Sequence, residues 1–560
     1  MSPEAKADSA WVYWKAKALL AGLPVNIATS STPAIATEPI NSQRAEALAL
    51  LQSIASVRGF YEQLALEELG QKIAVPPKPA AITTDEKEAA RLNASLNRAA
   101  YAIAIGLRPE GVREWNFTLR GMTDRELLAA AELACERKVW DRCINTSDRT
   151  RSEIEGLIGF FVNTLALRTE IGAGCKYPYS ASLLNISAMS YGAISANAIR
   201  ALNKGAKAGS FFHDTGEGGV SPYHREHGGD LVWELGSGYF GARGADGGFD
   251  PGKFAETASD PQIKMVELKL SQGAKPGHGG VLPAAKVTAE IAGIRGIPMG
   301  EDCVSPASHA VFSTPTGLLE FVVRMRELSG GKPAGFKLCI GHPWEFMAIC
   351  KAMIATGITP DFIVVDGKEG GTGAAPLEFM DHVGMPLRDG LSLVHNALVG
   401  IGVRDRIRIG ASGKITSAFD MARVLALGAD WCNSARGFMF AVGCIQAQSC
   451  HTGECPTGVA TQDPLRQRAI VVPDKAERVA NYQRNTLHAL AELVAAAGLS
   501  HPSELMPHHF LRRASSDKVI SLAEQYEILR PGQLIADPGS SPRFAEAWSL
   551  ARAESFARAG

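Results

Sequence analysis

The sequence predicts an α/β chain built on a (β/α)8 TIM barrel, with an N-terminal all-α, helical-repeat-like region and a C-terminal helical extension. Three observations lead there. From about residue 180, short apolar runs alternate with segments of helical periodicity, the pattern of βαβ units in a parallel sheet. Glycine-rich turns follow several of those runs, and the flanking stretches lack the strand pattern. The expected division is a helical region over residues 1–172, the barrel over 173–470 and the extension over 471–560.

Taken in order, Ala45–Ser56, Phe60–Leu69 and Asp124–Lys138 carry apolar residues at three- and four-residue spacing, one face of a helix each. Thr123-Asp-Arg-Glu126 opens the last of them as a capping box. Pro76-Pro-Lys-Pro79 breaks the series and Thr83-Thr-Asp-Glu86 restarts it. Expected strands are Leu183–Met189, Phe211–Asp214, Met265–Leu270, Gly335–Ile340, Phe362–Asp366, Arg406–Ile409 and Ala429–Asn433. Helical patterns at Thr316–Leu328, Pro343–Ala355 and Ser417–Leu427 lie between them. Seven or eight such units fit a closed barrel better than an open doubly wound sheet. Lys475–Ala497 returns to helix, and Pro502, Pro507, Pro531, Pro538 and Pro542 then limit long regular elements.

Composition narrows the function classes. The chain has 560 residues, 46% of them hydrophobic, with 57 Lys and Arg against 58 Asp and Glu. Near-neutral charge argues against a nucleic-acid or membrane-surface protein. No apolar run reaches about 18 residues, so no transmembrane span is expected. The first residues lack the apolar core of a signal peptide. Ten cysteines in this length are not a disulfide-dense pattern, and a reducing cytoplasm is expected.

The chemistry-bearing stretch is Gly443–Thr461, where Cys444, Cys450 and Cys455 stand at Cys-x5-Cys-x4-Cys with Pro456 after the last. Thiolates at short spacing on a glycine-rich loop can converge on iron. Three ligands suit a three-iron cluster or a four-iron cluster with one open site; the alternative is buried free cysteines. Upstream, Gly370-Gly371-Thr372-Gly373-Ala374, Gly410-Ala-Ser412-Gly413 and Ala435-Arg436-Gly437-Phe438 follow late strands. Such loops turn backbone amides inwards and form a phosphate cradle; plain tight turns are the alternative. Lys337 lies inside an apolar strand, where an ammonium is costly without an anion; beside a flavin ring it would stabilise the reduced form, and a lysine snorkelling at the strand end is the alternative. Lys269, Gln272, Lys275 and His278, with Arg295 downstream, form the densest polar cluster and suit an acidic substrate. Glu217 in Asp214-Thr-Gly-Glu217 could bind ammonia or an amine, or move protons; taken as isolated residues, these charges would be solvated loop charges.

Two resemblances concern the N-terminal region. Trp11–Ala18, Phe60–Gly70 and Glu110–Asn116 resemble the superhelical domain of soluble lytic transglycosylases over about residues 10–150; the lysozyme-like catalytic part of that family has no counterpart. Arg149–Arg168 resembles one motif of peptide-synthetase condensation domains, without their catalytic His-His-x3-Asp-Gly. Together they imply a fused or recombined gene with a helical scaffold ahead of the barrel.

The third is the most specific. Asn185–Ser195, Asp214–Gly219, Ser271–Gly277, Gly370–Pro376 and Cys444–Gln462 resemble, in order, the synthase barrel of the FMN-binding glutamate synthase family over about residues 173–560. The resemblance implies FMN held by Ala188, Met189, Ser190, Lys337, Gly370, Gly371, Thr372, Gly373, Ser412, Gly413, Arg436 and Gly437. It implies a 3Fe–4S cluster on Cys444, Cys450 and Cys455. Lys275, Glu217 and Lys269 would be catalytic, and Gln272 and Arg295 would bind 2-oxoglutarate. The chain departs from the family in lacking the glutaminase domain and C-terminal β-helix of its larger members. His278 and Val281 also stand where a Glu and a Gln are usual. The implied activity is reductive amination of a 2-oxo acid to glutamate or an N-substituted glutamate. Electrons would come from ferredoxin or a reductase subunit, and nitrogen from free ammonia, methylamine or a separate amidotransferase subunit. The competing reading is a helical cell-wall-binding scaffold fused to a barrel that has lost its cofactors.

Overall fold

The computed structural model describes residues 9–21, 38–55, 60–71, 80–105, 107–137, 139–147, 149–150, 167–371 and 375–560. Contacts divide the chain into two compact units, residues 1–137 with 142–157, and residues 138–141 with 158–560. The condensation-domain motif falls largely on residues 151–166, outside the described residues.

The first unit is helical, as expected. Its helices include Ser9–Ala21, Glu38–Ile54, Phe60–Glu68, Thr84–Leu92, Ala94–Ala104, Arg108–Thr118 and Asp124–Glu136. The Thr123–Glu126 capping box forms, and Thr83 with Glu86 makes a second. Each satisfies amides that a helix start leaves without partners. The Arg125 guanidinium then pairs with Glu86 at 2.7 Å, tying the two helix starts together. Trp115 is fully buried and donates to Thr146 Oγ1 at 2.9 Å. Cys135 and Cys143 are joined in a disulfide, their Cα atoms 5.2 Å apart.

The second unit contains a closed barrel of eight parallel strands: β1 (Leu184–Ile186), β2 (His213–Asp214), β3 (Leu231–Leu235), β4 (Ile263–Lys269), β5 (Ala334–Leu338), β6 (Phe362–Asp366), β7 (Arg408–Ser412) and β8 (Trp431–Ser434). Each strand pairs with the next in sequence, and β8 closes on β1. Outside lie helices α1 (Ala196–Gly209), α2 (Pro251–Ala258), α3 (Pro315–Leu328), α4 (Pro343–Thr356), α5 (Leu387–Gly400), α6 (Ala418–Ala426) and α7 (Arg436–Ala441). The long α8 (Val472–Ala496) packs on α1 and α6, so the C-terminal extension belongs to the barrel unit.

β3 was not among the expected strands. Glu234 interrupts its short apolar run, Leu-Val-Trp-Glu-Leu, and hides it. Alternation was the available signal: Leu231, Trp233 and Leu235 join the outer core, while Val232 faces the barrel interior. β7 is shifted from its expected place, so Gly410, Ala411 and Ser412 are strand and not loop. Gly410 answers to packing, since a Cβ there would lie 2.5 Å from the Trp431 indole.

The barrel interior is layered. At the N-terminal end Phe212, Val232, Met265, Phe362, Val364 and Trp431 meet Ile171, Tyr179 and Ala181 of a hairpin (Arg168–Ile171 with Tyr179–Ser182) that closes the bottom. Above it the layer turns polar, with Asn185, Asp214, Glu234, Glu267, Lys337 and Asn433 all buried. Most barrels fill this level with branched apolar side chains.

Candidate functional site

The site is assembled at the C-terminal ends of the strands, largely by the loop between β4 and α3. That loop carries Gln272 and Lys275, a short hairpin (Val281–Leu282 with Cys303–Val304), a 3-10 turn (Ala284–Lys286) and a short helix (Ala289–Arg295). Thr288 caps this helix by accepting from the Ile291 amide at 3.3 Å, and Gly296 ends it. Arg295 is thereby delivered into the interior, 5% exposed, with its guanidinium over the Phe240 ring.

Five expected residues come together here. Lys269 Nζ lies 3.2 Å from Glu217 Oε2 and donates to Gln272 Oε1 at 3.1 Å. Burial opposes ionisation of Glu217, but Lys269, then Arg295 and Lys275, hold its carboxyl below the usual range. Gly280 makes room for this carboxylate, since a Cβ there would meet Glu217 Oε1 at 1.9 Å. Lys275 is 3% exposed, and burial pushes its ammonium pKa down. Among the described residues neither Lys275 nor Arg295 has a carboxylate within ion-pair distance, and Arg295 Nε has no hydrogen-bond partner. At the mouth, three cations therefore answer to one carboxylate.

Beneath it, Asp214, Glu234, Glu267 and Lys337 stand on β2 to β5. Lys337 forms a close ion pair with Glu234 and lies 3.6 Å from Glu267. Its ammonium, expected beside a cofactor, is thus held in the interior. Burial first, then the neighbouring Asp214, pushes the Glu267 carboxyl well up; burial also raises Asp214, against the pull of Lys337. Glu234 is therefore the carboxylate that answers Lys337. Sequence reading missed Glu234 and Glu267, whose signal was a charge recurring on the inward register of a strand.

The phosphate-cradle residues lie around the neighbouring loops. Ser187 Oγ is 3.4 Å from Ser412 Oγ, joining the ends of β1 and β7. Met189 donates to the Asp214 carbonyl at 3.4 Å, which fixes the Ala188–Ser190 turn beside the mouth. Gly370, Gly371 and Gly413 lie in loops after β6 and β7. Gly437, expected in a loop, is in α7, where a Cβ would lie 1.9 Å from the Tyr482 hydroxyl, so it answers to packing; Thr372 and Gly373 fall outside the described residues. Hydroxyls and unshielded amides at this end are donors of the kind a phosphate-bearing ligand needs.

The three cysteines line one recess together with Met439, Ile445, Gln448, Thr457 and Val459. Gln446 and Gln448 both take φ of 57°, an uncommon conformation for these side chains. The turn lets the Gln446 amide donate to Cys444 Sγ at 3.4 Å. Burial raises the Cys450 thiol, as do Cys444 and Cys455, so the sulfurs lie close enough to act on one another. Burial opposes ionisation of Cys455 too, but the Ala460 amide and the Thr457 hydroxyl and amide outweigh it and hold the thiol low. Three thiols on one recess, with amides aimed at sulfur, fit a thiolate-bound iron cluster. His278 stacks edge-on against Phe379, ring centroids 5.4 Å apart.

A closed barrel with a cationic mouth and an adjoining cysteine recess defines the class of protein. The sequence profile described as "Conserved region in glutamate synthase" matches residues 171–500. The chain belongs to the glutamate synthase family. It is 43% identical to the glutamate synthase large subunit-like protein YerD of Bacillus subtilis (strain 168), over 62% of this chain and 66% of that one. It is 35% identical to the archaeal-type glutamate synthase (NADPH) of Thermotoga neapolitana, over 60% and 62% of the two chains. It is also 35% identical to the archaeal glutamate synthase (NADPH) of Methanocaldococcus jannaschii, over 62% and 64%. The matched stretch spans 62–66% of the length of these relatives, and the profile match begins after the N-terminal helices.

Proposed function

We propose that the barrel catalyses reductive amination: a 2-oxo dicarboxylate, 2-oxoglutarate foremost, condenses with ammonia or methylamine, and the imine is reduced to glutamate or an N-substituted glutamate. The observation that carries this reading is the charge imbalance at the mouth, where among the described residues Lys269, Lys275 and Arg295 answer to the one carboxylate of Glu217. Two uncompensated buried cations call for two negative charges, the number on a 2-oxo dicarboxylate.

Lys275 and Arg295 hold the carboxylates, and Gln272, oriented by its bond from Lys269, donates its amide to the substrate. Glu217, kept ionised by its cationic neighbours, accepts a proton from the incoming amine. Condensation releases water, and reduction consumes a hydride and a proton. FMN, when bound, supplies the hydride chemistry. Ala188, Met189, Ser190, Gly370, Gly371, Thr372, Gly373, Ser412, Gly413, Arg436 and Gly437 would hold it, while Lys337 is engaged by Glu234 beneath the mouth. Cys444, Cys450 and Cys455 would hold a 3Fe–4S cluster that receives electrons from ferredoxin or a reductase subunit. A separate amidotransferase subunit is an alternative nitrogen source to free ammonia.

Anaerobic purification, a visible spectrum and assays of iron and released flavin test the cofactors; absence of both overturns the reading. Incubation with 2-oxoglutarate, ammonia or methylamine and a reduced donor tests the substrate. The expected product is glutamate or N-methylglutamate, and failure to form either from cofactor-loaded protein overturns the assignment.

A further inference from the structure

One buried cation takes no part in the pocket. Lys286 closes the 3-10 turn of the β4–α3 loop and is 2% exposed. Its Nζ donates to the Ala193 carbonyl at 2.8 Å, in the loop after β1, and to the Cys450 carbonyl at 3.1 Å, in the cysteine loop. Its stem runs beneath Gly453, where an added Cβ would lie 3.9 Å from Lys286 Cγ. Among the described residues no carboxylate stands within ion-pair distance. Burial pulls the Lys286 pKa down to about 8, against the smaller favourable influence of Cys450 and Cys455 and with the unfavourable one of the Arg295 guanidinium.

A buried ammonium held only by carbonyl dipoles is costly unless an anion lies near. Among the described residues the groups near it that can take up negative charge are the cysteine sulfurs of the recess, as they would on binding iron. We propose that Lys286 is a positioning residue for the iron–sulfur cluster, tying the cysteine loop to the barrel mouth and offsetting thiolate charge. The inference rests on the reading that Cys444, Cys450 and Cys455 hold such a cluster. It adds a residue outside the ligand set, and it acts through a standing charge. A fixed positive charge favours the more negative, reduced form of a cluster and so raises its reduction potential. The hydrogen bond to the Cys450 carbonyl fixes the cysteine loop against the barrel mouth, where its thiols would hold the cluster.

The test compares anaerobically prepared wild type with K286M, K286Q and K286R. Midpoint potential is read by an EPR-monitored redox titration, and cluster retention by iron release to a chelator. K286Q retains hydrogen-bond donors without charge, which separates the two roles. The expected result is a more negative potential in K286M and K286Q, with K286R close to wild type. Iron release in K286M should be roughly 10-fold faster. Iron-loaded K286M and K286Q with wild-type potential and release would overturn this inference alone. A wild-type chain that binds no iron would overturn the cluster reading and this inference with it. Should K286M fail to fold, K286Q against K286R decides the question.

Discussion

Replacing Lys275 with Met is expected to loosen 2-oxoglutarate binding while stabilising the fold, two effects of opposite sign. Lys275 is 3% exposed, its ammonium pKa is pushed down by burial, and Glu217, which favours its charge, is already engaged by Lys269 at 3.2 Å. The charge is therefore a standing cost in the free protein, repaid only when an anion enters. A methionine of similar length removes that cost, worth on the order of 1 kcal/mol and visible as a higher melting temperature. The same change deletes a charge-assisted hydrogen bond to a substrate carboxylate, worth about 1.5–3 kcal/mol. That corresponds to a roughly 10- to 100-fold higher Kd. Calorimetric titration with 2-oxoglutarate and thermal unfolding of the same samples measure both, with K275R as the charge-retaining control. A lower melting temperature with an unchanged Kd would refute the reasoning and make Lys275 a structural lysine.

Three further outcomes are expected. Cys455→Ala should abolish iron binding, read by metal assay and loss of visible absorption, because it removes the thiol with the most hydrogen-bond donors around it; full iron retention contradicts the ligand assignment. His213 is fully buried with neither ring nitrogen hydrogen-bonded, and burial pulls its pKa from 6.5 to about 3. The folded value is the lower one, so the unfolded chain takes the proton first as pH falls. The stability of the neutral ring is present in full above pH 6.5 and lost towards pH 3, at most about 5 kcal/mol. Urea unfolding at stepped pH should show this slope and His213→Gln should flatten it; an equal slope in the variant rules the residue out. Reducing the Cys135–Cys143 bond, whose sequence separation is 8, should destabilise the helical unit by about 2 kcal/mol. Thiol titration of the denatured, unreduced chain checks it, and all ten cysteines reacting would show that the bond does not form.

Legibility in the sequence followed the range of the forces involved. β6 was readable to the residue, Phe362–Asp366, because an unbroken apolar run between turns has few alternatives. The capping box at Thr123 was equally plain, since its bonds span only three residues. β3 escaped because its membership is decided by β2 and β4 on either side, and its inward Glu234 is matched by Lys337 of β5, two strands away. The register of β7 was missed for a related reason: Gly410 reads as a turn until the Trp431 indole is seen against it.

The site divides along the same line. Sequence by itself determined the inventory: the cysteine spacing, the cationic run Lys269–Lys275 and the glycine-rich loops, each a local pattern with local chemistry. Only the tertiary structure decided who faces whom. It turned Lys337 into the barrel interior among carboxylates, brought Arg295 back to Lys275 and Glu217, and set Lys286 under the cysteine loop. The physical reason is that burial and pairing energies depend on distance through space. Residues such as Lys286 and Cys450, far apart along the chain, acquire their roles only when the barrel closes.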